Sequence, residues 1–214
     1  MKEQETVVKV TMAGSKILAV RAHKVETDLK EQTQSYIGLH KVLMQDLSEA
    51  RERLAEYESP SQFARRTYIR TLFALIEGET FSRKQVALAL YELGYKVFQP
   101  EEVALLREEQ YYLTEQGRAK KQQLFLRTAA NLRFSFETFA KACKTNYKLD
   151  SSGREWESFK NIVDCRNRIT HPKRVSDLNI KDEELQHAIS VADWYTKISS
   201  ELVKVGVREI LGGP

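Results

Sequence analysis

The sequence predicts an all-α fold, a four-helix up-and-down bundle with a long helix ahead of it. Apolar residues recur at steps of three and four along most of the 214 residues, which is the spacing of one helix face. Only 4 Pro and 9 Gly interrupt these stretches, so long helices can form. With 42% apolar and 30% charged residues, the composition is typical of a globular protein. The length fits one domain with an appendage.

Residues 1–60 are predicted to be an N-terminal extension. Residues 6–22 fit either a short β-hairpin or the frayed start of a helix. A heptad pattern then predicts a long helix, which ends because Pro60 disfavours helical dihedrals at Ser59. The seam consists of Tyr36, His40, Leu43, Leu47, Ala50, Leu54 and Tyr57. We expect this helix to serve as a dimer arm or to pack on the bundle, with His40 packed or partly exposed rather than a ligand.

Residues 61–207 are predicted to form the main helical domain, with an insertion at about 79–120. The first helix of the domain ends at Gly78, because glycine commonly follows the last residue of a helix. The insertion is predicted to be a helical pair, opened by a capping box of Ser82 and Gln85. It faintly resembles a winged-helix DNA reader, but its stretch "EEVALLREEQ" carries four Glu against one Arg, and that acidity disfavours DNA.

Three further helices complete the predicted bundle. We interpret the aromatic residues of the first as core rather than as a platform for stacking bases. A capping box of Ser152 and Glu155 predicts that the next helix begins at Gly153 or Arg154, and the last begins near Asp182. The stripes are Phe125, Ala129, Leu132, Phe136, Phe139 and Cys143 in the first helix, and Leu185, Ala188, Ile189, Ala192, Tyr195, Ile198 and Leu202 in the last.

Charge and cysteine content narrow the classes of function. The net charge of +4 and a pI of about 8.9 are a mild indication of an anionic partner. Two cysteines, Cys143 and Cys165, are too few for a metal cluster, and they predict a reduced, cytoplasmic protein. No apolar run is long enough to span a bilayer, and the charged N-terminus lacks the apolar centre of a secretory signal, so no membrane association is expected.

One arginine falls on the wrong face of its predicted helix. Arg166 follows Ile162 by four residues and Val163 by three, so it lies in the apolar stripe. A guanidinium keeps its proton, and burying it is costly unless acceptors surround it. Something anionic must therefore meet Arg166, and both a protein carboxylate and a substrate phosphate are candidates.

The residues after Arg166 add a histidine and more positive charge. His171 would lie about 140° from Arg166 around a continuous helix, but Pro172 should end the helix there and allow the imidazole to turn toward the arginine. Arg168 lies on the polar face and can be an ordinary solvated charge. Together with Lys173 and Arg174, these arginines form a local trap for anions. The alternative is that Arg166 pairs with an internal carboxylate and His171 merely caps the helix.

The stretch "RNRITH" resembles the signature motif of the HEPN superfamily, and "YIRTLFALIEG" is similar to the opening core helix of many HEPN domains. The resemblance covers roughly residues 62–205, with 79–120 as an insertion. It implies an all-α bundle that dimerises and brings two copies of the motif together. Many members are metal-independent RNA endonucleases of toxin–antitoxin or other defence systems, and others are inactive binding modules.

The resemblance also implies roles for residues. Arg166 and His171 would be catalytic, Asn167 would help to position them, and Glu77 matches an acidic residue sometimes found near the family's site. Phosphate binding is expected from four further cations, namely Lys160, Arg168, Lys173 and Arg174. We expect no metal and no cofactor. The expected partners are an RNA substrate, a second copy of the chain, and an antitoxin or regulatory protein.

RNA cleavage is chemistry that these residue types can perform. The 2′-OH of RNA is the nucleophile, a histidine can transfer its proton near neutral pH, and a guanidinium can hold two phosphate oxygens. The expected products carry 2′,3′-cyclic phosphate and 5′-hydroxyl ends. Two other hypotheses are an inactive module that dimerises and binds nucleic acid, a nucleotide or a protein, and a helical regulator whose insertion reads DNA.

Overall fold

A computed structural model describes the backbone of residues 2–56, 58–94 and 96–211 and the side chains of residues 27–56, 58–94 and 96–206. The elements, in chain order, are α1 (Lys2–Ala55), α2 (Gln62–Glu92), α3 (Pro100–Leu106), β1 (Glu109–Leu113), β2 (Ala119–Gln123), α4 (Thr128–Ala142), α5 (Arg154–Thr170), a 3-10 turn (Val175–Leu178) and α6 (Asp182–Leu211). The protein is mostly helical, so the predicted all-α class is confirmed.

The core lies between α2, α4, α5 and α6, the four long helices predicted after residue 60. Each contributes side chains that are almost completely buried, because its apolar residues recur at the helical period and cluster on one face. Representative members of this core are Ile69, Leu72, Phe73, Ile76, Leu132, Phe136, Phe159, Ile162, Ala188, Tyr195 and Leu202. Helix α5 begins at Arg154 as predicted, although Ser152 bonds to Asp150 rather than closing a capping box with Glu155.

Helix α1 packs on this bundle. Its described side chains Tyr36, Leu47, Ala50 and Leu54 are buried in the same core as the four bundle helices. The backbone over residues 6–22 is helical, so of the two interpretations of that segment the helix is the one observed and the hairpin is not. Tyr57, the last residue of the predicted seam, lies outside the described residues.

The prediction that Gly78 ends a helix is wrong, because α2 continues without a break to Glu92. Gly78 serves close packing instead. A Cβ at this position would lie 3.0 Å from Leu43 Cδ1 and 3.3 Å from Leu39 Cδ2, so the missing side chain lets α1 approach α2. Ser82, which we predicted to open a new helix, is a buried residue in the interior of α2.

The insertion is correspondingly not a helical pair. After α2 it consists of the short helix α3 and a two-stranded antiparallel hairpin, in which Tyr111 pairs with Lys121. Gly117 has a φ of +71° in the turn of this hairpin, a conformation that glycine adopts without strain. The polar, turn-rich stretch between α3 and α4 forms strands because no apolar face is available to hold a helix there.

The helix directions refine the bundle topology. Arg65 pairs with Asp182 and Arg83 bonds to Ser199, so α2 and α6 run in the same direction. Helix α4 runs in the same direction as α2. Lys84 of α2 bonds to Asn131 near the start of α4, and Lys141 in the last turn of α4 pairs with Glu102, which lies beyond the end of α2. Helix α5 runs opposite to α2 and α6. The helix direction therefore alternates from α4 to α5 to α6. Helices α2 and α4 are parallel, because the insertion between them carries the chain back along α2.

Phe125 corrects one further prediction. It was expected in the core stripe of the third bundle helix, but it precedes α4 and is 84% exposed. Phe136 and Phe139, on the same predicted stripe, are buried as expected. In the part of the chain that the structure describes, no helix combines the length and apolar character needed to cross a bilayer.

Candidate functional site

The centre of the candidate site is an ion pair between α2 and α5. The two helices run antiparallel, which brings Glu77 of α2 opposite Arg166 of α5. Arg166 Nη2 lies 2.5 Å from Glu77 Oε1 and donates to Oε2 at 2.6 Å. Its Nη1 donates to Asn167 Oδ1 at 3.1 Å. Of the two anions that the sequence allowed for Arg166, the structure has the protein carboxylate.

The pair lies at the edge of the core rather than inside it. The Arg166 guanidinium carbon is 5.6 Å from the ring centre of Phe73, a buried aromatic that forms a floor beneath the charge. The Arg166 side chain is 23% exposed and that of Glu77 is 41% exposed. Arg166 is thus partly exposed in the single chain, because the helix turns it just past the buried face formed by Ile162 and Ile169.

His171 ends α5, as Pro172 predicted. The helix stops at Thr170, and the His171 backbone N–H donates to Asn167 O at 3.0 Å. Arg70 of α2 caps the same end by donating to Ile169 O at 3.0 Å. The imidazole is exposed and forms no hydrogen bond or ion pair with the described residues. The structure thus brings Arg166, Glu77 and Asn167 together and places the His171 imidazole at the adjacent helix end without a hydrogen bond or ion pair to their side chains.

Three side chains of α2 hold the segment that follows His171. Gln62 and Arg65 bond to the backbone of Ile180, and Arg66 Nη1 donates to Leu178 O at 2.8 Å. Within the segment, Asp177 Oδ2 accepts the backbone N–H groups of Lys173 and Arg174. These hydrogen bonds, above all the one from the Lys173 N–H, hold the pKa of Asp177 below its usual range. The backbone around the histidine is therefore well supported.

Arg168 is not an ordinary solvated charge. It donates to Glu184 Oε1 at 2.6 Å and to the carbonyl oxygens of Asp177 and Asn179. Burial alone would lower the pKa of Arg168, but the bonding to Glu184 outweighs it and raises the pKa. Arg168 clamps the α5–α6 connection, because the turn after His171 folds back over the polar face of α5.

The other three predicted phosphate-binding cations are exposed. Lys173 and Arg174 form no ion pair with the described residues. Lys160 pairs with Glu157 at 2.7 Å and lies about 16 Å from His171 along the helix axis. The predicted trap of four cations between 166 and 174 is thus reduced, because Glu77 and Glu184 neutralise two of them.

The arrangement leaves capacity for an anion. A guanidinium has five N–H donors in a planar fork, and Glu77 and Asn167 use only its Nη2 and Nη1 ends. The Nε–H and part of Nη1 have no partner among the described residues. Because both carboxylate and guanidinium are partly exposed, a phosphate can approach without opening the core.

A buried network on the same helix escaped prediction from sequence. Two turns of α2 carry Glu79 and Arg83, which are 1% and 0% exposed. Arg83 donates to Tyr195 Oη at 2.8 Å and to Ser199 Oγ at 2.9 Å, and both hydroxyls donate to Glu79 Oε2. The position of Tyr195 on the apolar stripe of α6 was the one available signal, because a buried tyrosine hydroxyl needs a polar partner.

His40 connects this network to the surface. Its Nδ1 lies 2.6 Å from Glu79 Oε1, and its side chain is 45% exposed, so the expected packed or partly exposed histidine is found. Burial by itself raises the pKa of Glu79, but the Arg83 guanidinium and three hydrogen bonds outweigh it and keep the pKa below its usual range. The network is a structural feature that joins α1, α2 and α6.

Neither cysteine is placed for chemistry. Both thiols are buried and free, and burial raises the pKa of Cys143 to about 12 and that of Cys165 to about 11. Among the described residues no group of three or more His, Cys, Asp and Glu side chains is arranged to hold a metal ion. Comparisons of the chain with family models, with curated proteins and with solved structures gave no match.

Proposed function

We propose that the protein is a metal-independent RNA endonuclease of HEPN type. The observation that carries the proposal is the half-open Arg166–Glu77 pair, which leaves guanidinium donors free five residues before the exposed histidine that ends the same helix. The motif resemblance supplies the reaction class. The exposed cationic side chains of Lys173 and Arg174 next to the histidine favour an anionic polymer as substrate.

In this proposal Arg166 binds the scissile phosphate through its free donors and stabilises the charge of the phosphorane. Glu77 and Asn167 hold the guanidinium in place. His171 transfers a proton, either from the 2′-OH or to the leaving 5′-oxygen. The 2′-oxygen bonds to phosphorus, the bond to the 5′-oxygen breaks, and the products are a 2′,3′-cyclic phosphate and a 5′-hydroxyl.

A homodimer completes the site. The reaction needs both an acid and a base, and one chain offers a single histidine at the motif, whereas a two-fold axis near His171 supplies two. Val175, four residues later, is 88% exposed, so an apolar side chain is available for a second copy to cover. Sedimentation equilibrium should give the mass of two chains, and a mass of one chain in the active protein would contradict this part of the proposal.

The decisive experiment compares His171→Ala with wild type on an end-labelled single-stranded RNA in the presence of EDTA. We expect wild type to cleave and to leave cyclic phosphate ends, and His171→Ala to lose at least a hundredfold in rate. His187→Ala is the matched control, since this histidine on α6 bonds to Ser158 outside the site and should cleave normally.

Equal cleavage by wild type and His171→Ala would contradict the proposed role of the histidine. A DNA of the same sequence should remain intact, because it lacks the 2′-OH. In the cell, expression of an active toxin should arrest growth, and Arg166→Ala should relieve the arrest. An antitoxin or regulatory protein is then the partner that keeps the enzyme inactive.

A second function is favoured by one observation. Glu77 and Asn167 already occupy part of the Arg166 guanidinium, which is what an inactive module that only dimerises and binds nucleic acid or a partner would need. This module would bind RNA without cleaving it. Binding without cleavage over a range of pH and of single-stranded and structured RNAs would favour it over the nuclease.

A further inference from the structure

A cavity of about 320 Å³ lies directly beside the candidate site. It forms where α2, the base of the β1–β2 hairpin and the first turn of α4 meet. Glu77, the partner of Arg166, lies on its wall, so the cavity and the proposed phosphate site share a residue. The other side chains that matter here are Thr80, Phe81, Glu108, Phe125 and Asn131. The volume is at the small end of the range for ligand pockets.

A buried lysine orients two polar groups of this cavity. The Lys84 side chain is 0% exposed, and its Nζ lies 2.5 Å from Glu108 Oε1 and 2.8 Å from Asn131 Oδ1. Because Lys84 occupies Oδ1, the Asn131 amide nitrogen is left as a donor without a partner among the described residues. Glu108 likewise keeps Oε2 as an acceptor. The cavity thus presents a fixed donor and a fixed acceptor side by side.

Glu108 is held in an uncommon backbone conformation. Its φ is +55°, a region that residues other than glycine rarely adopt, and its carbonyl accepts from Leu124 N at 2.7 Å where the two strands meet. The strain and the buried Lys84 act on the same residue. The Glu108 carboxylate compensates the buried Lys84 charge through Oε1, which leaves Oε2 for a ligand.

Two exposed aromatic side chains and one unpaired hydroxyl complete the cavity. Phe81 is 51% exposed and Phe125 is 84% exposed, although both are large apolar groups that ordinary packing would bury. Thr80 is 3% exposed, and its Oγ1 is buried without a hydrogen-bond partner among the described residues. Because this hydroxyl has almost no accessible surface, the two aromatic rings are the groups of this wall that a ligand would contact.

We propose that this cavity binds one unpaired nucleobase of the RNA, next to the phosphate at Arg166. The inference rests on the proposed function and deepens it. Proteins read single-stranded RNA by stacking bases on aromatic side chains and by hydrogen bonds to the exposed base edges, and this cavity has both kinds of group. The phosphate at Arg166 and the base in the cavity then belong to neighbouring parts of one strand.

The polar groups also fit the edge of a base. A carboxylate accepts from an exocyclic amino group, as glutamate does with the N4 of cytosine. Adenine and cytosine place such an amino group beside a ring nitrogen that can accept from Asn131. Uracil presents an equivalent pair, because its N3–H donates and the adjacent O4 accepts. Glu108 and Asn131 therefore fit the Watson–Crick edge of each of these bases and do not select among them.

The test measures binding, so that it does not depend on cleavage. Fluorescein-labelled hexanucleotides of A, C or U carry 2′-O-methyl groups, which remove the nucleophile and keep the RNA-like sugar. Fluorescence anisotropy gives the dissociation constant of each. We expect all three oligomers to bind, and Phe125→Ala to weaken binding of the A oligomer about tenfold.

Tyr112→Ala is the matched control, because this exposed aromatic lies on β1 and does not line the cavity. It should bind as wild type does. Glu108→Gln keeps the size and the hydrogen bond to Lys84 but presents an amide donor to the base in place of the acceptor Oε2, and we expect it to weaken binding of all three oligomers.

The failures of the two proposals are distinguishable. If wild type cleaves RNA but Phe125→Ala and Tyr112→Ala bind the oligomers equally well, the base site is overturned and the nuclease is not. If no RNA is cleaved and Phe125→Ala still weakens binding selectively, the nuclease fails and the base site stands.

Discussion

Two arginine–glutamate pairs meet on neighbouring turns of α2, and they differ chiefly in access to solvent. The Glu79–Arg83 pair is 1% and 0% exposed, whereas the Glu77–Arg166 pair is 41% and 23% exposed. Glu77 and Glu79 are thus only two residues apart on one helix, but the pair of Glu77 is partly solvated and the pair of Glu79 lies in the low-dielectric core. We interpret the buried pair as structural and the open pair as available to a ligand.

The difference lies in what surrounds each pair. Around the buried pair, Tyr195, Ser199 and His40 supply hydrogen bonds, and the Arg83 guanidinium lies 4.4 Å from the ring centre of Phe136. The Arg83 Nε is buried without a hydrogen-bond partner among the described residues, and water cannot supply one. At the open pair, water can replace a missing partner. The spare N–H donors of Arg166 can therefore bind a ligand without destabilising the fold.

The largest expected effect comes from breaking the buried pair. Arg83→Met leaves the Glu79 carboxylate uncompensated in the core and should lower the free energy of unfolding by about 3–5 kcal/mol. Urea denaturation followed by circular dichroism measures the loss. The double variant Glu79→Gln/Arg83→Met removes the charge as well and should recover part of it. A loss below about 1 kcal/mol in Arg83→Met would contradict the structural role.

The next effect is a pH dependence of stability that comes from Glu79. Its pKa is lower in the folded protein than in the unfolded chain, so the folded state gains stability above the unfolded value of about 4.3 and loses it as the pH falls below that value. Unfolding free energies measured between pH 7 and pH 3 should fall less steeply in Glu79→Gln than in wild type. Parallel curves would show that Glu79 is not held ionised by the network.

A smaller effect is expected at the open pair. Glu77→Gln should change the unfolding free energy by less than about 1 kcal/mol, because partly exposed ion pairs contribute little. Removal of the carboxylate should tighten binding of an uncleavable RNA by up to about fivefold. The cleavage rate should fall, since Arg166 loses the group that positions it. Tighter binding together with faster cleavage would show that Glu77 masks Arg166 and does not position it.

The helices are predictable from sequence because their periodicity is local. The faces of α2, α4, α5 and α6 are visible in spacings of three and four, and Pro172 marks the end of α5 before His171. Gly78 misleads because its function depends on Leu39 and Leu43 of another helix, which no local pattern shows. Because Gly78 was interpreted as a helix end, neither the continuation of α2 to Glu92 nor the hairpin in the insertion was predicted.

The candidate site is predictable only in part for the same reason. The misfit of Arg166 on its stripe shows that an anion must meet it, and Glu77 was named beside it from the family resemblance. The partial exposure of the pair depends on how α2 and α5 pack. Lys84 and Arg83 look like ordinary helix-surface charges in "SRKQ", because their partners on α4 and α6 lie far along the chain.

The most direct test of the account measures stability and cleavage on one preparation of Arg166→Met. Methionine keeps the packing against Phe73 and removes the charge. We expect an unfolding free energy within about 1 kcal/mol of wild type and a loss of RNA cleavage of at least a hundredfold. Strong destabilisation, or cleavage at the rate of wild type, would contradict the claim that the open pair serves a ligand and the buried pair serves the fold.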